Sequence, residues 1–329
     1  MFSYRHAFHA GNHADVLKHL TLIAALRHLM RKDSPLTLID THAGAGLYRL
    51  DDDVAATSGE AAEGYLRLRD WANARAAGLA AAEKTPSAGT HKAHPATETV
   101  ADAVRDYLGV VQQFNPTGGA RVYPGSPFVI WSLMDEAGRR AVHDRLRLFE
   151  WHPSDIHALQ GNVEQLEAGR RIGLQHEDGF KGLRALLPPP PAPGGSRRAL
   201  VLVDPSYELK TDYARVAEQL QDALRRFATG TYLVWYPVIP RPEAHELPRR
   251  LRTLARQAGR EWLDVSLNIG HERAASAPGP GAPRPGLSAS GMFIVNPPFS
   301  LRPALEAALP QLLAALGRGA GQAWSLEAG

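Results

Sequence analysis

The chain contains no cysteine among its 329 residues. Disulfide bonds, thiolate zinc sites and cysteine nucleophiles are therefore excluded together. The first 15 residues have no apolar core of the signal-peptide type, and no apolar run approaches the roughly 20 residues that span a bilayer. A Walker A motif with its Lys-Ser/Thr pair is also absent. These absences predict an intracellular, cytoplasmic protein that has no membrane partner and no P-loop.

Hydrophobic residues make up 44% of the chain, enough to bury a sizeable core in one large or two small domains. The net charge is only +3, but most of the basic residues are arginine. Arginine makes bidentate contacts with phosphate and stacks on bases. Charge alone leaves two alternatives open, contact with RNA or DNA and a solvated basic face.

An acidic residue and two glycines follow the first predicted strand. Residues 36–39 form a short apolar run typical of a buried strand, and Asp40, Gly44 and Gly46 come directly after it. Such a loop lets backbone amides approach a nucleotide closely. Arg49 stands where a dinucleotide fingerprint needs its third glycine, so no pyrophosphate is expected. S-adenosylmethionine fits this description, and a tight turn without a ligand is the alternative.

Three later segments place polar side chains where the same cofactor would lie. Ser126 belongs to a Pro-Gly-Ser-Pro turn, and Glu150 ends the predicted strand 146–150. In a doubly wound sheet, an acid at the end of the second strand accepts hydrogen bonds from the two ribose hydroxyls. A solvent-facing strand end is the alternative for Glu150. Asp178 follows a third predicted strand, 171–176, and is a candidate acceptor for the adenine amine.

The most strand-like run, 198–203, ends in Asp204, Pro205, Ser206 and Tyr207. The exocyclic amine of adenine is weakly nucleophilic because its lone pair is conjugated into the ring. The Asp204 carboxylate and the Pro205 carbonyl can accept both amine protons and favour the tetrahedral nitrogen that attacks a methyl group. Asp204 can then take the released proton, and Tyr207 offers a face for a flipped base. The motif therefore indicates methylation of an adenine amine.

The first 19 residues contain four histidines, at positions 6, 9, 13 and 19. No carboxylate or cysteine pattern around them matches the spacing of a metal site, so a polar pocket lining is favoured over a metal. From Asn12 onward, the apolar spacing of Val16, Leu20 and Ile23 predicts a helix packed on the core.

Six segments, spread in order over nearly the whole chain, resemble those of the RlmJ family. They are Tyr4-Arg5-His6 through His19, Asp40 to Gly46, Tyr123 to Pro127, Glu150 to Asp155, Asp178 to Phe180 and Trp235 to Pro237. Members of this family are bacterial 23S ribosomal RNA adenine-N6 methyltransferases. The resemblance implies an α/β fold: a Rossmann-like class I methyltransferase sheet with helices on both faces and an inserted helical subdomain.

The resemblance also implies particular contacts and partners. The implied S-adenosylmethionine contacts, which join Gly44 and Gly46, are His19, His42, Ser126, Glu150, Asp178, Gly179 and Asp204. Asp204 is implied as the catalytic proton acceptor, and Tyr4 as a neighbour of the substrate adenine. The implied product is S-adenosylhomocysteine and the implied partner is 23S ribosomal RNA before subunit assembly. We expect a monomer.

Two features depart from the family pattern. The family motif reads Asp-Pro-Pro-Tyr, whereas Ser206 occupies the third position here, which predicts an active enzyme with a less rigid loop. The segment between Asp70 and Thr99 is also longer than usual, so contacts with RNA cannot be carried over to it. The predicted domain organisation is an N-terminal helix, first strand and Gly loop at 1–46, a helical insertion at 47–120 and the rest of the methyltransferase domain at 121–329.

A second motif, Asn296-Pro-Pro-Phe299, matches the general amine-methyltransferase pattern better than the Asp204 motif does. Position favours Asp204, because its strand is the fourth and lies beside the first, at the switch point where ligands bind. Asn296 ends the last predicted strand. That strand forms a closing hairpin, 262–269 with 292–295, and lies away from the cofactor.

Arginines cluster near the carboxyl-terminal edge of the predicted sheet. They are Arg225, Arg226, Arg241, Arg249, Arg250, Arg252 and Arg256. This cluster is the candidate RNA-facing surface, with simple solvation as its alternative.

Three other functions stay open: a DNA adenine methyltransferase, a catalytically inactive RNA-binding assembly factor, and a nicotinamide dehydrogenase, which Arg49 disfavours.

Overall fold

The computed structural model describes residues 9–51, 59–84, 99–138, 143–192, 195–271 and 286–329. The strands are β1 (Thr37–Asp40), β2 (Leu47–Arg49), β3 (Val122–Pro124), β4 (Arg145–Phe149), β5 (Ile172–Gln175), β6 (Ala199–Val203), β7 (Thr231–Pro237), β8 (Trp262–Asn268), β9 (Ala289–Val295) and β10 (Ala323–Ala328). The helices are α1 (His13–Leu29), a π-helical turn (Ala62–Leu66), α2 (Arg67–Lys84), α3 (Asp102–Gln113), α4 (Ser126–Glu136), α5 (Pro153–Glu164), α6 (Gly179–Leu186), α7 (Lys210–Arg226), α8 (Pro242–Gln257) and α9 (Leu301–Leu316). None of the helices in these ranges is long and apolar enough to cross a membrane.

Eight strands form one sheet in the order β10-β8-β9-β7-β6-β1-β4-β5. Strands β7, β6, β1, β4 and β5 run parallel, whereas β9 runs antiparallel to both β7 and β8. From β1 the chain proceeds to β4 and β5, and later returns to β6 on the other side of β1. This reversal brings the carboxyl ends of β1 and β6 together, where open α/β sheets bind their ligands. The predicted Rossmann-like fold is confirmed.

Alternate residues of the central strands face two separate cores. In β6, Leu200 and Leu202 pack in the core that contains α1, while Val201 and Val203 pack in the core of α6, α7 and α8. Successive side chains of a strand point to opposite faces, so a strand that is apolar throughout requires helices on both. The continuous apolar run of β6 therefore places it in the middle of the sandwich.

Helix α1 is buried on nearly all sides. Asn12 caps it, and its side-chain oxygen accepts hydrogen bonds from the amides of Ala14 and Asp15, each at 2.9 Å. Every residue from His13 to Ile23 is buried, not only the predicted apolar stripe. The reason is that α1 packs on β9, on the π-helical turn and on α3, α4 and α9. Polar side chains of its first turns therefore lie inside the protein.

The stretch from 47 to 120 contains strand as well as helix. Strand β2 pairs antiparallel with β3, which begins at Val122, so a two-stranded sheet closes the segment. Helix α3 packs on α1 and α9, and α2 packs on α9. The helices were predicted and the two short strands were not. The division of the chain at residues 46 and 120 stays a prediction.

The hairpin predicted after residue 262 is present as β8 and β9, but it does not close the sheet. Strand β10 pairs along β8 and forms the edge. Because β9 is antiparallel to β7, Asn296 lies at the edge of the sheet opposite to Asp204. The Asn296 side-chain amide donates to the carbonyls of Ala228 and Gly230, at 2.8 and 2.6 Å. Asn296 therefore fixes the turn before β7.

Candidate active site

A cavity of about 250 Å³ lies at the carboxyl ends of β1, β4 and β6. The loops that follow these three strands meet there with the starts of α4 and α6. The predicted site residues that line it are His42, Gly44, Ser126, Glu150, Asp178, Gly179, Asp204 and Pro205. They come from five separate segments of the chain. This convergence follows from the parallel strands, whose carboxyl ends share one edge.

Two glycines allow the segments that line this cavity to pack closely. A Cβ atom on Gly179 would lie 1.9 Å from the carbonyl oxygen of Thr41, and one on Gly44 would lie 2.3 Å from the Tyr48 hydroxyl. Gly44 also has φ +61°, a backbone conformation that favours glycine. The lack of a Cβ atom at both positions therefore lets the segments that line the cavity pack closely against each other.

We expect Gly179→Ala to weaken S-adenosylmethionine binding by roughly 10- to 100-fold, because the methyl group can fit only if the Thr41 backbone or the start of α6 moves. Isothermal titration calorimetry measures this change. The matched control is Gly161→Ala in α5, where an added Cβ would meet no atom within 4 Å. Equal affinities of the two variants would show that the packing of Gly179 on Thr41 does not shape the cofactor site.

Glu150 joins the second predicted strand end to the glycine loop. Its Oε2 accepts a hydrogen bond from the Gly44 amide at 2.7 Å, and its Oε1 accepts one from the His152 amide at 2.6 Å. Burial raises the pKa of the Glu150 carboxyl, although the backbone donors oppose this rise. Each carboxylate oxygen has more than one lone pair, so a ribose hydroxyl can still donate to either.

The other polar groups of this cavity are held in defined states. Burial lowers the pKa of His42 to about 4, so its ring is neutral near pH 7, and it lies edge-on to Phe180 at 5.0 Å between centroids. Asp178 caps α6, accepts a hydrogen bond from the Phe180 amide at 2.9 Å and pairs with Arg215 at 2.5 Å. These contacts hold the His42 and Asp178 side chains in the wall of the first cavity.

A second cavity of about 220 Å³ lies on the other side of Asp204. Lys18, Asp204 and Ser206 line both cavities, so they form the boundary between them. Tyr207 also lines the second cavity, but its ring is only 3% exposed, and its hydroxyl donates to the Trp235 carbonyl at 2.7 Å. Tyr207 has φ +53°, which turns the chain sharply after Pro205.

Sequence reasoning missed the partner of Asp204. The Lys18 ammonium donates to Asp204 Oδ2 and also pairs with Asp15 Oδ1, each at 2.7 Å. Burial disfavours the Lys18 charge, but the two carboxylates outweigh this effect, and the pKa of Lys18 is raised. The signal that was available is the spacing of Asp15 and Lys18, three residues apart on a predicted helix. Trp151, 55% exposed at the first cavity, was also missed.

Two predicted cofactor residues do not line the cavity. His19 is fully buried, and its Nδ1 lies 2.9 Å from the Tyr123 hydroxyl, because it projects from a different side of α1 than Lys18 does. Gly46 serves packing instead, since a Cβ there would lie 2.7 Å from Leu159 and Phe128. Direct ligand contact at these two positions is therefore not supported. Tyr4, the predicted neighbour of the substrate, lies outside the described residues.

Comparison with known proteins gives the relatives of the chain. A family model described as "RsmJ: Ribosomal RNA large subunit methyltransferase D, RlmJ" matches residues 33–82 and 81–327. Ribosomal RNA large subunit methyltransferase J of Escherichia coli (strain K12) is 36% identical over 312 residues, which cover 95% of this chain and 93% of that protein. The protein of the same name from Haemophilus influenzae is 34% identical over 328 residues, covering 99% and 98%.

A solved structure shares the whole fold. The crystal structure of protein LPL1258 from Legionella pneumophila matches with a TM-score of 0.72 and 29% identity, covering 98% of both chains. The order of the strands, the cavity at their carboxyl ends and the matches over nearly the full length all agree with a methyltransferase fold. The chain therefore belongs to the RlmJ family of S-adenosylmethionine-dependent ribosomal RNA large subunit methyltransferases.

Proposed function

We propose that the protein methylates the N6 amine of one adenine in 23S ribosomal RNA. The observation that carries this proposal is the position of Asp204, whose carboxylate forms part of the wall between two cavities. The first cavity, lined by Glu150 and Asp178, is proposed to hold the cofactor, and the second cavity is proposed to take an adenine. The names of the two relatives from Escherichia coli and Haemophilus influenzae support ribosomal RNA as the substrate.

In the cofactor cavity, Glu150 is suited to the ribose hydroxyls, while Asp178 and the amides around Gly179 are suited to the adenine end. The cofactor supplies an electrophilic methyl group on a sulfonium. Neutral His42 adds no positive charge beside that cation. The cavity thus binds the donor largely through carboxylates and backbone, and leaves its Asp204 side open to the acceptor.

Asp204 acts on the acceptor amine. Lys18 engages Oδ2, and Oδ1 accepts no hydrogen bond from the described residues, so Oδ1 is available to an amine proton. The second amine proton is suited to the Pro205 carbonyl. Two acceptors favour the tetrahedral nitrogen whose lone pair can attack. As that nitrogen becomes cationic, the Asp204 carboxylate stabilises it and takes the released proton, while Lys18 keeps the carboxylate fixed in place.

An adenine that is stacked in RNA cannot reach Asp204, so the base must be flipped into the second cavity. Trp235 and Tyr207 both line this cavity, and because the Tyr207 ring is almost fully buried, Trp235 is the aromatic side chain better suited to stack on the base. Ser206, in place of the second proline of the family motif, is exposed and lies between Pro205 and Tyr207, which are both buried. The substitution therefore leaves both functional neighbours in position, and we expect activity.

The proposed RNA-facing surface is smaller than the sequence predicts. Arg252 is occupied by Asp264 and Glu327, at 2.8 and 2.9 Å, and Arg226 pairs with Asp222 at 2.7 Å. The exposed members without such carboxylate partners in the described residues are Arg225, Arg241, Arg249, Arg250 and Arg256. We propose that these arginines contact RNA phosphates.

We also propose that the enzyme is a cytoplasmic monomer. We propose further that it methylates the RNA before the large subunit is assembled.

The test is methyl incorporation from labelled S-adenosylmethionine into unmodified 23S ribosomal RNA, with duplex DNA of matched length in a parallel reaction. We expect label in RNA alone, and mass spectrometry of the digested RNA to find it as N6-methyladenosine at one position. Preferential labelling of the DNA would support the DNA methyltransferase instead. Cofactor binding by calorimetry without labelling of either substrate would support an inactive assembly factor.

A further inference from the structure

Three basic side chains line the second cavity, and they differ in how their charges are paired. Lys18 is held by the two carboxylates described above, and His9 Nδ1 lies 3.0 Å from Glu60. By contrast, no carboxylate in the described part of the chain lies within the 4.0 Å ion-pair distance of the Arg241 guanidinium. Arg241 is therefore the basic group of this cavity that can pair with an anionic ligand without breaking an ion pair.

Arg241 stands on the rim of the cavity. It is the N-cap residue of α8 and follows the end of β7 by a few residues, and its side chain is exposed. Burial raises the pKa of Tyr213, and the charge of Arg241 opposes that rise, so the guanidinium lies near the Tyr213 hydroxyl. Glu243, an acid within electrostatic range of Arg241, pairs with Lys210 at 3.5 Å. Because Arg241 is both exposed and part of the cavity lining, it lies at the opening of the cavity.

The rest of the cavity suits a base better than a phosphate. Pro237, Ile239 and Leu287 give it apolar surface, and Trp235 gives it an aromatic ring. A nucleotide inside a strand carries a phosphodiester on each side of its ribose, and both must remain near the opening when the base is flipped inward. A guanidinium is the side chain that best matches a phosphate, through two parallel hydrogen bonds.

Building on the proposed function, we infer that Arg241 binds a phosphodiester next to the flipped adenosine. It thereby sets which nucleotide of the strand enters the second cavity, because a phosphate contact fixes position along the backbone and carries no information about the base. Arg241 is thus a substrate-positioning residue. Its role is separate from that of the arginines on the outer surface of α8, which do not line the cavity.

The test compares two ligands on protein saturated with S-adenosylhomocysteine. Adenosine 3′,5′-bisphosphate carries both phosphates of an internal nucleotide, and adenosine carries neither. We expect the wild type to bind the bisphosphate at least about tenfold more tightly in calorimetry, and Arg241→Gln to bind both ligands equally. Arg241→Lys keeps the charge but not the fork of donors, so it should retain part of the preference.

The matched control is Arg302→Gln, which removes an exposed arginine of α9 that pairs with Glu306 at 2.9 Å. It should behave as the wild type. A plot of log affinity for RNA against log salt concentration has a negative slope. The magnitude of this slope should be smaller by about 0.7 in Arg241→Gln, because one phosphate contact is lost, and unchanged in the control.

The outcomes separate this inference from the proposed function. If Arg241→Gln prefers the bisphosphate over adenosine as strongly as Arg302→Gln does, the role of Arg241 is overturned. The proposed function is not affected by that result as long as the wild type methylates RNA. A wild type that binds both ligands equally overturns it as well. A wild type that neither binds adenosine nor methylates RNA removes the proposed function itself.

Discussion

We expect Asp204→Asn to lower methyl transfer to ribosomal RNA by about 1000-fold, since it removes the proton acceptor and, with its amide oxygen accepting from Lys18, turns an NH₂ donor toward the amine. The asparagine amide has nearly the same shape, so cofactor affinity should fall by less than about tenfold. Single-turnover incorporation of labelled methyl and calorimetry with S-adenosylmethionine measure the two quantities.

Asp33→Asn is the matched control for this substitution. Asp33 is an exposed acid in the connection between α1 and β1, away from both cavities, and its loss should leave the rate within twofold of wild type. An Asp204→Asn enzyme that kept more than a tenth of the wild-type rate would overturn the assignment of Asp204 as proton acceptor.

The second large effect is expected on stability. Lys18→Met removes an ammonium that is 5% exposed and leaves Asp15 and Asp204, 2% and 13% exposed, without their shared counter-ion. Removing one partner of a buried ion pair costs about 3–5 kcal/mol. We therefore expect the free energy of unfolding in urea at pH 7.5 to fall by about this amount.

The loss should depend on pH in a defined direction. Without Lys18, the folded variant holds the carboxylates of Asp15 and Asp204 in the interior with no counter-ion between them. Uptake of a proton removes this cost, so the deficit of the variant should be largest at pH 7.5 and smaller at pH 5.5. Urea titrations at pH 7.5 and 5.5 compare the two conditions, and recovery at pH 5.5 also decides the case if the variant is unfolded at pH 7.5.

Lys181→Met provides the control. Lys181 is 80% exposed and pairs with Glu177 at 3.1 Å on the surface, where such a pair contributes about 0–1 kcal/mol. Its substitution should change stability little at either pH. Equal losses for Lys18→Met and Lys181→Met would mean that the buried pair around Asp204 does not stabilise the fold.

Strand ends were predictable from the sequence because the same pattern occurs each time. An apolar run is followed directly by an acid at Asp40, Glu150 and Asp204, and parallel strands bring their carboxyl ends to one edge. Local pattern and a general rule of sheet geometry were sufficient to bring most of the cofactor cavity together.

Contacts between distant segments were not predictable in this way. Lys18 and Asp204 are 186 positions apart, and their pairing depends on how α1 packs against the sheet. The same packing separates Lys18 from His19: adjacent residues on a helix point about 100° apart, so one faces Asp204 and the other faces Tyr123. The spacing of residues within one helix does not reveal which side meets the sheet.

The edge strand β10 was missed for a different reason. Its residues, Ala323–Ala328, alternate between apolar and polar from Trp324 onward, but the run is short and almost all of it is exposed. Edge strands are commonly short and polar, which protects them from pairing with other chains. The position of β10 is set by its pairing with β8, and the alternation of a few exposed residues does not reveal that partner.

The shared wall between the two cavities has a consequence for inhibitor design. Lys18, Asp204 and Ser206 line both cavities. A ligand in either cavity can therefore contact the Asp204 carboxylate. A single bisubstrate molecule, with an adenosyl amino acid joined by a short linker to a second adenine, could occupy both at once. Joining the halves makes the second binding event intramolecular, so selectivity can come from the length of the linker as well as from either half.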